Sequence, residues 1–342
     1  MEGSTVSNSK IASANLSTSF SNGSSSPVSL SFPPIVLSGF TLFGLITNGL
    51  ICWATAKTKR LHTPTFCLVV NMAISDCIIL VTGLASTIIN AIMSSMAISV
   101  ISATIACKLI GFTNICGVIT STLTLSAISI DRTLILTTKS RRRTLFNSNK
   151  KLNILVGLIW LIAAIVALPF GVLMTVFPSS PICDIKNISR TFNGTYFIIL
   201  FIVAYMIPAI TVIIMYTKII VVLAKGISKQ RNSSAFELIR KHHIKLIKTL
   251  SIVTVIFFLL AGPLFIIYII IALSGKSAFN YMLSLSRPQA QILQICFIAL
   301  YLSCLLNPII YFFMNSTLRQ ALTCKSQCYG RLQPTIHVAP AN

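Results

Sequence analysis

Acidic residues, and charged residues of either sign, are scarce in this chain of 342 residues. Asp and Glu together number 5, and charged residues make up 9% of the sequence, whereas a water-soluble domain carries roughly 25%. So few charges cannot cover the surface of a soluble fold of this size. Because 55% of the residues are hydrophobic, we expect the lipid bilayer to be the solvent of most of the chain.

The lack of acids leaves a net charge of +22, which alone would suggest nucleic-acid binding. The basic residues, however, lie in short clusters between long apolar runs, a pattern typical of membrane topology. We therefore predict no nucleic-acid partner and expect membrane lipids around the chain.

Constellations for catalysis are also lacking. The acids are scattered, and His62, His242, His243 and His337 show no metal-ligand spacing. We therefore predict no enzyme activity and no catalytic cofactor.

Seven long apolar runs dominate the rest of the chain. They lie near 34–56, 65–91, 103–137, 151–174, 195–217, 244–272 and 289–313. Each is long enough to cross a hydrocarbon core of about 30 Å as a helix. The sequence therefore predicts an all-α fold, a seven-transmembrane helix bundle over 34–313, with no internal repeat of the transporter kind.

The loops indicate the orientation of the bundle. Of the 27 Lys and Arg residues, 21 fall on one set of loops, which marks that side as cytoplasmic. We expect a multi-pass plasma-membrane protein whose residues 1–33 form a disordered extracellular tail without a cleavable signal peptide. Sequons on the outer side predict glycosylation at Asn15, Asn22, Asn187 and Asn193.

Cysteines fit the same topology. Of the 10 cysteines, only Cys107 and Cys183 fall on the oxidising side, one at the start of the third run and one in the second external loop. We predict a disulfide between them, and the alternative is two unpaired thiols.

Short motifs then occur in a fixed order along the runs. They are Asn48-Gly49, Leu61-His62-Thr63-Pro64-Thr65, Asn71 to Asp76, Asp131-Arg132-Thr133, Trp160, Pro208 with Tyr216, Phe257 with Pro263, and Asn307-Pro308 with Tyr311. From about residue 35 to 328, this set resembles the rhodopsin-like (class A) G-protein-coupled receptors. The resemblance implies a receptor that transmits the signal of an extracellular ligand to a heterotrimeric G protein by rearranging its helices.

An acid within the second run needs a partner. The resemblance implies an allosteric sodium ion held by Asp76, with Ser121, Ser303 and Asn307 completing a polar cluster. A protonated Asp76 bonded to the same groups is the alternative.

The resemblance also implies an activation switch at the cytoplasmic end. Its residues would be Asp131, Arg132, Tyr216, Phe257, Pro263, Pro308 and Tyr311. Asp131 can hold the Arg132 guanidinium in a bidentate pair, which opens when Arg132 contacts the G protein. Alternatively the charge pair only anchors helix depth. Trp160 needs a hydrogen-bond partner when it is buried, and Asn71 looks like that partner.

Alignment with the family places a ligand pocket among mostly apolar residues. They are Asn114, Gly117, Val118, Ala261, Phe265, Tyr268, Gln294 and Tyr301. For each of them the alternative is ordinary helix packing. Asn114 stands where amine receptors carry Asp, and Tyr301 where opsins carry the retinal Lys. We therefore expect a peptide or small-molecule ligand that is neither a typical amine nor retinal.

Two further departures concern activation. Ala261 replaces the usual Trp before Pro263, and His243 stands where some members carry a Glu that locks Arg132. A receptor-like protein with lost or constitutive signalling is therefore the alternative function. A transporter or channel is a third possibility, and it would need more polar residues inside the helices.

The segment 314–342 completes the domain organisation. Residues 315–322 resemble the short surface helix 8 of the family, and a cytoplasmic tail follows. Cys324 and Cys328 are predicted palmitoylation sites, with free thiols as the alternative.

Overall fold

A computed structural model describes most of the chain. The described residues are 34–95, 99–137, 148–177, 180–227, 234–314 and 316–323. Among them, the backbone alone is described at 34–37, 94–95, 135–137, 180–181, 223–227, 234–250, 253, 314 and 316. The predicted sites Asn15, Asn22, Cys324 and Cys328 lie outside these residues.

Helices account for nearly all of the described chain. They are α1 (Pro34–Lys57), α2 (Pro64–Ser95), α3 (Val100–Thr137), α4 (Asn149–Leu173), α5 (Arg190–Phe201), α6 (Ile207–Ile227), α7 (Ser234–Ser274), α8 (Ala278–Leu283), α9 (Arg287–Met314) and α10 (Ser316–Thr323). A π-helical turn over Ile202–Met206 joins α5 to α6 in one long span. Helices suit these apolar runs because lipid offers no partner for free backbone groups.

Within the described residues, seven spans are long and apolar enough to cross a membrane. Many large side chains face outward, such as Ile165 and Leu259, as expected where lipid replaces water. The predicted seven-helix bundle is confirmed, and the chain is a multi-pass membrane protein.

The helices of the fifth and sixth runs are longer than the predicted runs, and α6 ends at Ile227, ten residues after the predicted end at 217. The helix of the sixth run, α7, begins at Ser234, ten residues before the predicted start at 244. Helix formation does not require lipid, so the basic segment before the apolar run extends the helix beyond it.

Strands were not predicted. β1 (Met174–Phe177) and β2 (Ser180–Ile185) pair antiparallel directly after α4. The hairpin contacts the beginning of α3 through Cys183, whereas Asp131 lies near the other end of α3. We call these two ends of the bundle the hairpin end and the opposite end.

Helix α10 agrees with the predicted helix 8. It follows α9 after one residue, and Leu318 is its buried anchor. It packs against α1 and against the short 3₁₀ turn Lys59–Leu61.

Candidate functional site

A buried carboxylate lies at the centre of the bundle. Asp76 on α2 has no exposed surface and accepts hydrogen bonds from the Ser121 hydroxyl of α3 and the Asn307 amide of α9, both at 2.8 Å. Ser121 in turn shares a hydrogen bond of 2.9 Å with Ser75. Asp76 thus joins three helices through a single polar group, and two of its three predicted neighbours are in contact with it.

The third predicted neighbour points elsewhere. The Ser303 hydroxyl donates to the carbonyl of Leu300 at 2.6 Å, one turn back on its own helix. A helical serine satisfies itself locally in this way without a distant partner. Asn307 supplies the hydrogen bond from α9 to Asp76, whereas the Cys304 thiol donates to the Leu300 carbonyl at 3.5 Å. Ser303 is therefore not a hydrogen-bond partner of Asp76 in this arrangement, and its place in a cluster around a sodium ion stays a prediction.

The predicted pair of Asn71 and Trp160 is confirmed. The indole nitrogen donates to Asn71 Oδ1 at 3.0 Å, and the Asn71 amide donates to Thr124 at 2.8 Å. These two bonds hold α2, α3 and α4 together next to the Asp76 centre.

At the opposite end, both charged residues of the Asp-Arg motif are buried. Asp131 is 1% exposed and Arg132 is 7% exposed. Asp131 accepts a hydrogen bond of 2.9 Å from the Thr65 hydroxyl on α2. Among the hydrogen bonds of the described residues, the predicted bidentate bond to Arg132 is absent, and the Arg132 Nε has no acceptor. Thr65, which the sequence did not single out, is the partner of Asp131.

Two tyrosines flank this motif. The Tyr216 hydroxyl lies 3.3 Å from the Thr254 hydroxyl on α7. The Tyr311 hydroxyl, on α9, contacts the Met72 sulfur at 3.9 Å. Each tyrosine thus bonds a neighbouring helix. Tyr216 joins α6 to α7, the helix that contains Pro263. The His243 side chain, predicted to face Arg132, is outside the described residues.

A tyrosine that the sequence did not single out contacts α7 near its proline. Tyr205, in the π-helical turn, donates to the Phe258 carbonyl at 3.2 Å. Its ring covers Gly262, where an added Cβ would lie 2.5 Å from the hydroxyl. Both positions flank Ala261, which is completely buried. Tyr205 therefore packs at the proline hinge of α7, beside the position where the usual Trp is missing.

Aromatic rings fill much of the predicted pocket. Tyr268 stacks on Phe197 with centroids 5.3 Å apart and contacts Phe170 and Phe297 edge-on. Phe265 packs against Tyr205 at 5.8 Å. The completely buried Phe257 contacts Phe258, on the side of Ala261 away from Pro263. These rings connect α4, α5, α7 and α9 into one aromatic cluster.

Polar pocket residues point toward α2. The Asn114 amide donates to the Thr82 hydroxyl at 2.8 Å and to the Ile79 carbonyl at 3.4 Å. Tyr301 also lines a cavity of about 100 Å³ between α1, α2 and α9, together with Ser38 and Ser86. Gln294 is half-buried and Val118 is buried.

Gly117 does not line the pocket as predicted. A Cβ at this position would lie 3.0 Å from the Ile79 side chain and 3.2 Å from the Ser75 carbonyl. The residue thus marks a close approach of α3 to α2. Small residues serve this purpose between membrane helices.

The hairpin end is tied together by two adjacent residues. The predicted disulfide between Cys107 and Cys183 is present and links α3 to β2. The next residue, Asp184, is 4% exposed, and its Oδ1 accepts from the Phe279 amide of α8 at 3.2 Å and from Ile185 at 2.7 Å. The hairpin is therefore joined both to α3 and to the connection between α7 and α9.

One predicted glycosylation site is inconsistent with the structure. Asn193 is 2% exposed, and its amide nitrogen donates to the Lys186 carbonyl at 3.0 Å. A glycan on that nitrogen would have no room, because the side chain is enclosed by the surrounding residues. Asn187 is half-exposed, and its glycosylation stays a prediction.

Seven apolar helices around a buried carboxylate, with a disulfide at one end and an Asp-Arg motif at the other, are the architecture of a seven-helix membrane receptor. The chain belongs to the 7 transmembrane receptor (rhodopsin family), whose family model matches residues 47–311. The family to which the motifs pointed is thereby confirmed.

Receptors are also found among the chain's relatives. The RYamide receptor of Tribolium castaneum is 24% identical over 291 residues, which cover 80% of this chain and 75% of that receptor. The D(2) dopamine receptor A of Xenopus laevis is 25% identical over 193 residues, covering 54% of this chain and 40% of the receptor. The D(2)-like dopamine receptor of Takifugu rubripes is 24% identical over 180 residues, with coverages of 52% and 37%.

Proposed function

We propose that the protein is a plasma-membrane receptor that passes the signal of an extracellular ligand to a heterotrimeric G protein, and that it has no enzyme activity. The hairpin end faces outward together with the N-terminus, since 21 of the 27 Lys and Arg residues lie toward the opposite side. The opposite end then meets the G protein in the cytoplasm.

The observation that carries this proposal is the state of Arg132. The residue is 7% exposed, and the Nε of its guanidinium has no acceptor. An unsatisfied buried donor costs about 1–3 kcal/mol. A partner that offers an acceptor after a small helix movement recovers that energy, so binding and movement favour each other.

The contacts around Arg132 indicate what must move. Tyr216 bonds Thr254 on α7, and this bond spans the gap that a G protein would have to open. Pro263 leaves a backbone carbonyl of α7 without its usual donor and permits a bend there. We propose that a bend of α7 breaks the Tyr216–Thr254 bond and frees Tyr216 to approach Arg132.

A sodium ion is the proposed regulator at the centre. Asp76 has no basic partner among its hydrogen bonds, which come from a hydroxyl and an amide group. Asp76, Ser121 and Ser75 offer the oxygen ligands that a hard cation prefers. A bound sodium ion would neutralise a carboxylate whose burial in the membrane is otherwise costly.

The names of the relatives point to two ligand classes. RYamide and dopamine appear in the relatives' names, and we propose a peptide ligand rather than an amine. Asn114 supports this choice because it is uncharged and already bonded to Thr82, so it offers no ion pair to a protonated amine.

The experiment is nucleotide exchange on a panel of purified G proteins, with membranes that contain the receptor. Without ligand, we expect weak exchange that is above that of receptor-free membranes and far below the maximum, and Arg132→Ala should abolish it at equal surface expression. Lys59→Ala is the matched control, because Lys59 is an exposed cation on the same side. Exchange that survives Arg132→Ala would contradict the proposed role.

Constitutive signalling is the second candidate. Ala261 leaves the hinge of α7 without its usual large side chain, and the Tyr205 hydrogen bond is what holds that position. Exchange that is complete without any ligand in the same assay would favour this candidate.

A further inference from the structure

We infer that the hairpin end binds an acidic peptide through a cationic patch formed by Lys186, Arg190 and Lys276. This inference rests on the proposed function for its outward orientation and names the chemical class of the ligand. It is carried by where the structure brings these three residues, which are far apart in sequence.

Two contacts bring the members of the cationic patch together. Asn187, next to Lys186, lies beside Gly275, where an added Cβ would be 3.6 Å from its amide nitrogen. Lys276 follows directly on that glycine. On α5, Arg190 is one helical turn before Gly194, and Gly194 approaches Leu273 of α7. The outer ends of α5 and α7 therefore present the three cations in one place, and all three are exposed.

Acidic neighbours do not neutralise the patch. Within the part of the chain that the structure describes, Asp184 is the acid at the hairpin end, and its Oδ1 is occupied by the Phe279 and Ile185 amides. At 4% exposed, it is shielded from solvent. Over the described residues, the hairpin end therefore presents exposed positive charges to a ligand and no exposed negative charge.

The predicted pocket, like the cationic patch, offers no free carboxylate to a ligand. Asn114, Tyr268 and Tyr301 are uncharged, and Asp76 lies deeper, among its own donors. A cationic ligand would find no carboxylate to pair with in the predicted pocket. An anionic ligand would meet three cations at the entrance and an aromatic cluster beneath, on which apolar side chains can pack.

The exposure of the patch favours a peptide over a small anion. A single solvent-exposed ion pair contributes only about 0–1 kcal/mol. One small anion at this rim would therefore bind weakly. A peptide with several acidic side chains can contact all three cations at once, and the positive field accelerates its association.

The test uses intact cells, so that only the outer face is accessible. A fluorescent octamer of Glu, an octamer of Lys and a heparin fragment are the probes, and cells are treated with an N-glycosidase to remove glycans. The variant Lys186→Glu/Arg190→Glu/Lys276→Glu is compared with Lys108→Glu. Lys108 is an exposed cation at the same end whose backbone lies against α4.

The octamer of Glu should bind the wild type, and the triple variant should bind it at least tenfold more weakly. Lys108→Glu should change the affinity less than twofold, and 0.5 M salt should weaken the binding because exposed charges are screened. Equal binding by wild type and triple variant, or binding of heparin or of the Lys octamer alone, would overturn the proposal. Binding to the outer face is read directly and not through signalling, so its failure is distinct from a failure of signalling.

Discussion

Removing one hydroxyl from the hinge of α7 should raise ligand-free signalling. In Tyr205→Phe the hydrogen bond to the Phe258 carbonyl is lost, while the ring that covers Gly262 stays. That bond ties the π-helical turn to α7 beside Pro263. If α7 must bend there for activation, the bond stabilises the resting state, and its loss favours the active one.

The size of the effect follows from the strength of a hydrogen bond. A neutral intramolecular bond contributes about 0.5–1.5 kcal/mol, which corresponds to a change of about twofold to tenfold in the ratio of active to resting receptor. Ligand-free nucleotide exchange, normalised to surface expression, should rise by a factor in this range as long as the active state is the minor one.

A matched control lies on the same span. The Tyr196 hydroxyl donates to the Val166 carbonyl of α4, also at 3.2 Å. Tyr196→Phe therefore removes the same kind of bond but leaves α7 untouched, and it should not change ligand-free exchange. Gly262→Ala should break the same hydrogen bond of Tyr205 by a change on α7, because the new Cβ would displace the Tyr205 hydroxyl. An unchanged signal in Tyr205→Phe, or an equal rise in Tyr196→Phe, would refute the role of this bond.

Three further predictions concern other contacts. Cys107→Ala and Cys183→Ala should each lower surface expression, and the double variant should be no worse than either single one, because the disulfide between them is lost once; additive losses would contradict this. Sodium should raise the melting temperature of the wild type but not of Asp76→Asn, since the substitution removes the negative charge that holds the ion, and an equal rise in both would exclude that site. His243→Glu should lower ligand-free exchange by supplying an acceptor for Arg132, and an unchanged signal would show that the missing acid does not set the resting state.

Much of the fold and part of the site could be predicted from sequence. Membrane helices have a strong signal because lipid forces each apolar run into a helix. Contacts between groups with few alternatives were also predictable. The Trp160 indole has one donor and found Asn71, and Cys107 had one partner on its side of the membrane.

The contacts that the sequence did not reveal are of two kinds. Some groups have a hydrogen-bond partner on their own helix, and others lie where the helix face that points inward differs from that expected of a regular helix. Ser303 could bond its own backbone and did so. Gly117 lies one turn after Asn114, and both face α2, which an alignment to a pocket does not reveal. Tyr205 sits in a π-helical turn, where the extra residue changes which face points to α7. The burial of Asn193 depends on the Lys186 carbonyl, which no local pattern of sequence indicates.

The adjacent anchors Cys183 and Asp184 give the receptor the mechanics of a lever. One is bonded to α3 and the other to α8, directly after α7. The hairpin end of α7 is thereby held in place, so a bend at Pro263 would move the other arm of the helix. That arm runs from Ser234 to Pro263 and is about 44 Å long at 1.5 Å per residue. Each degree of bend at Pro263 would move its far tip by about 0.8 Å, so a small change of angle at the proline would open the opposite end widely.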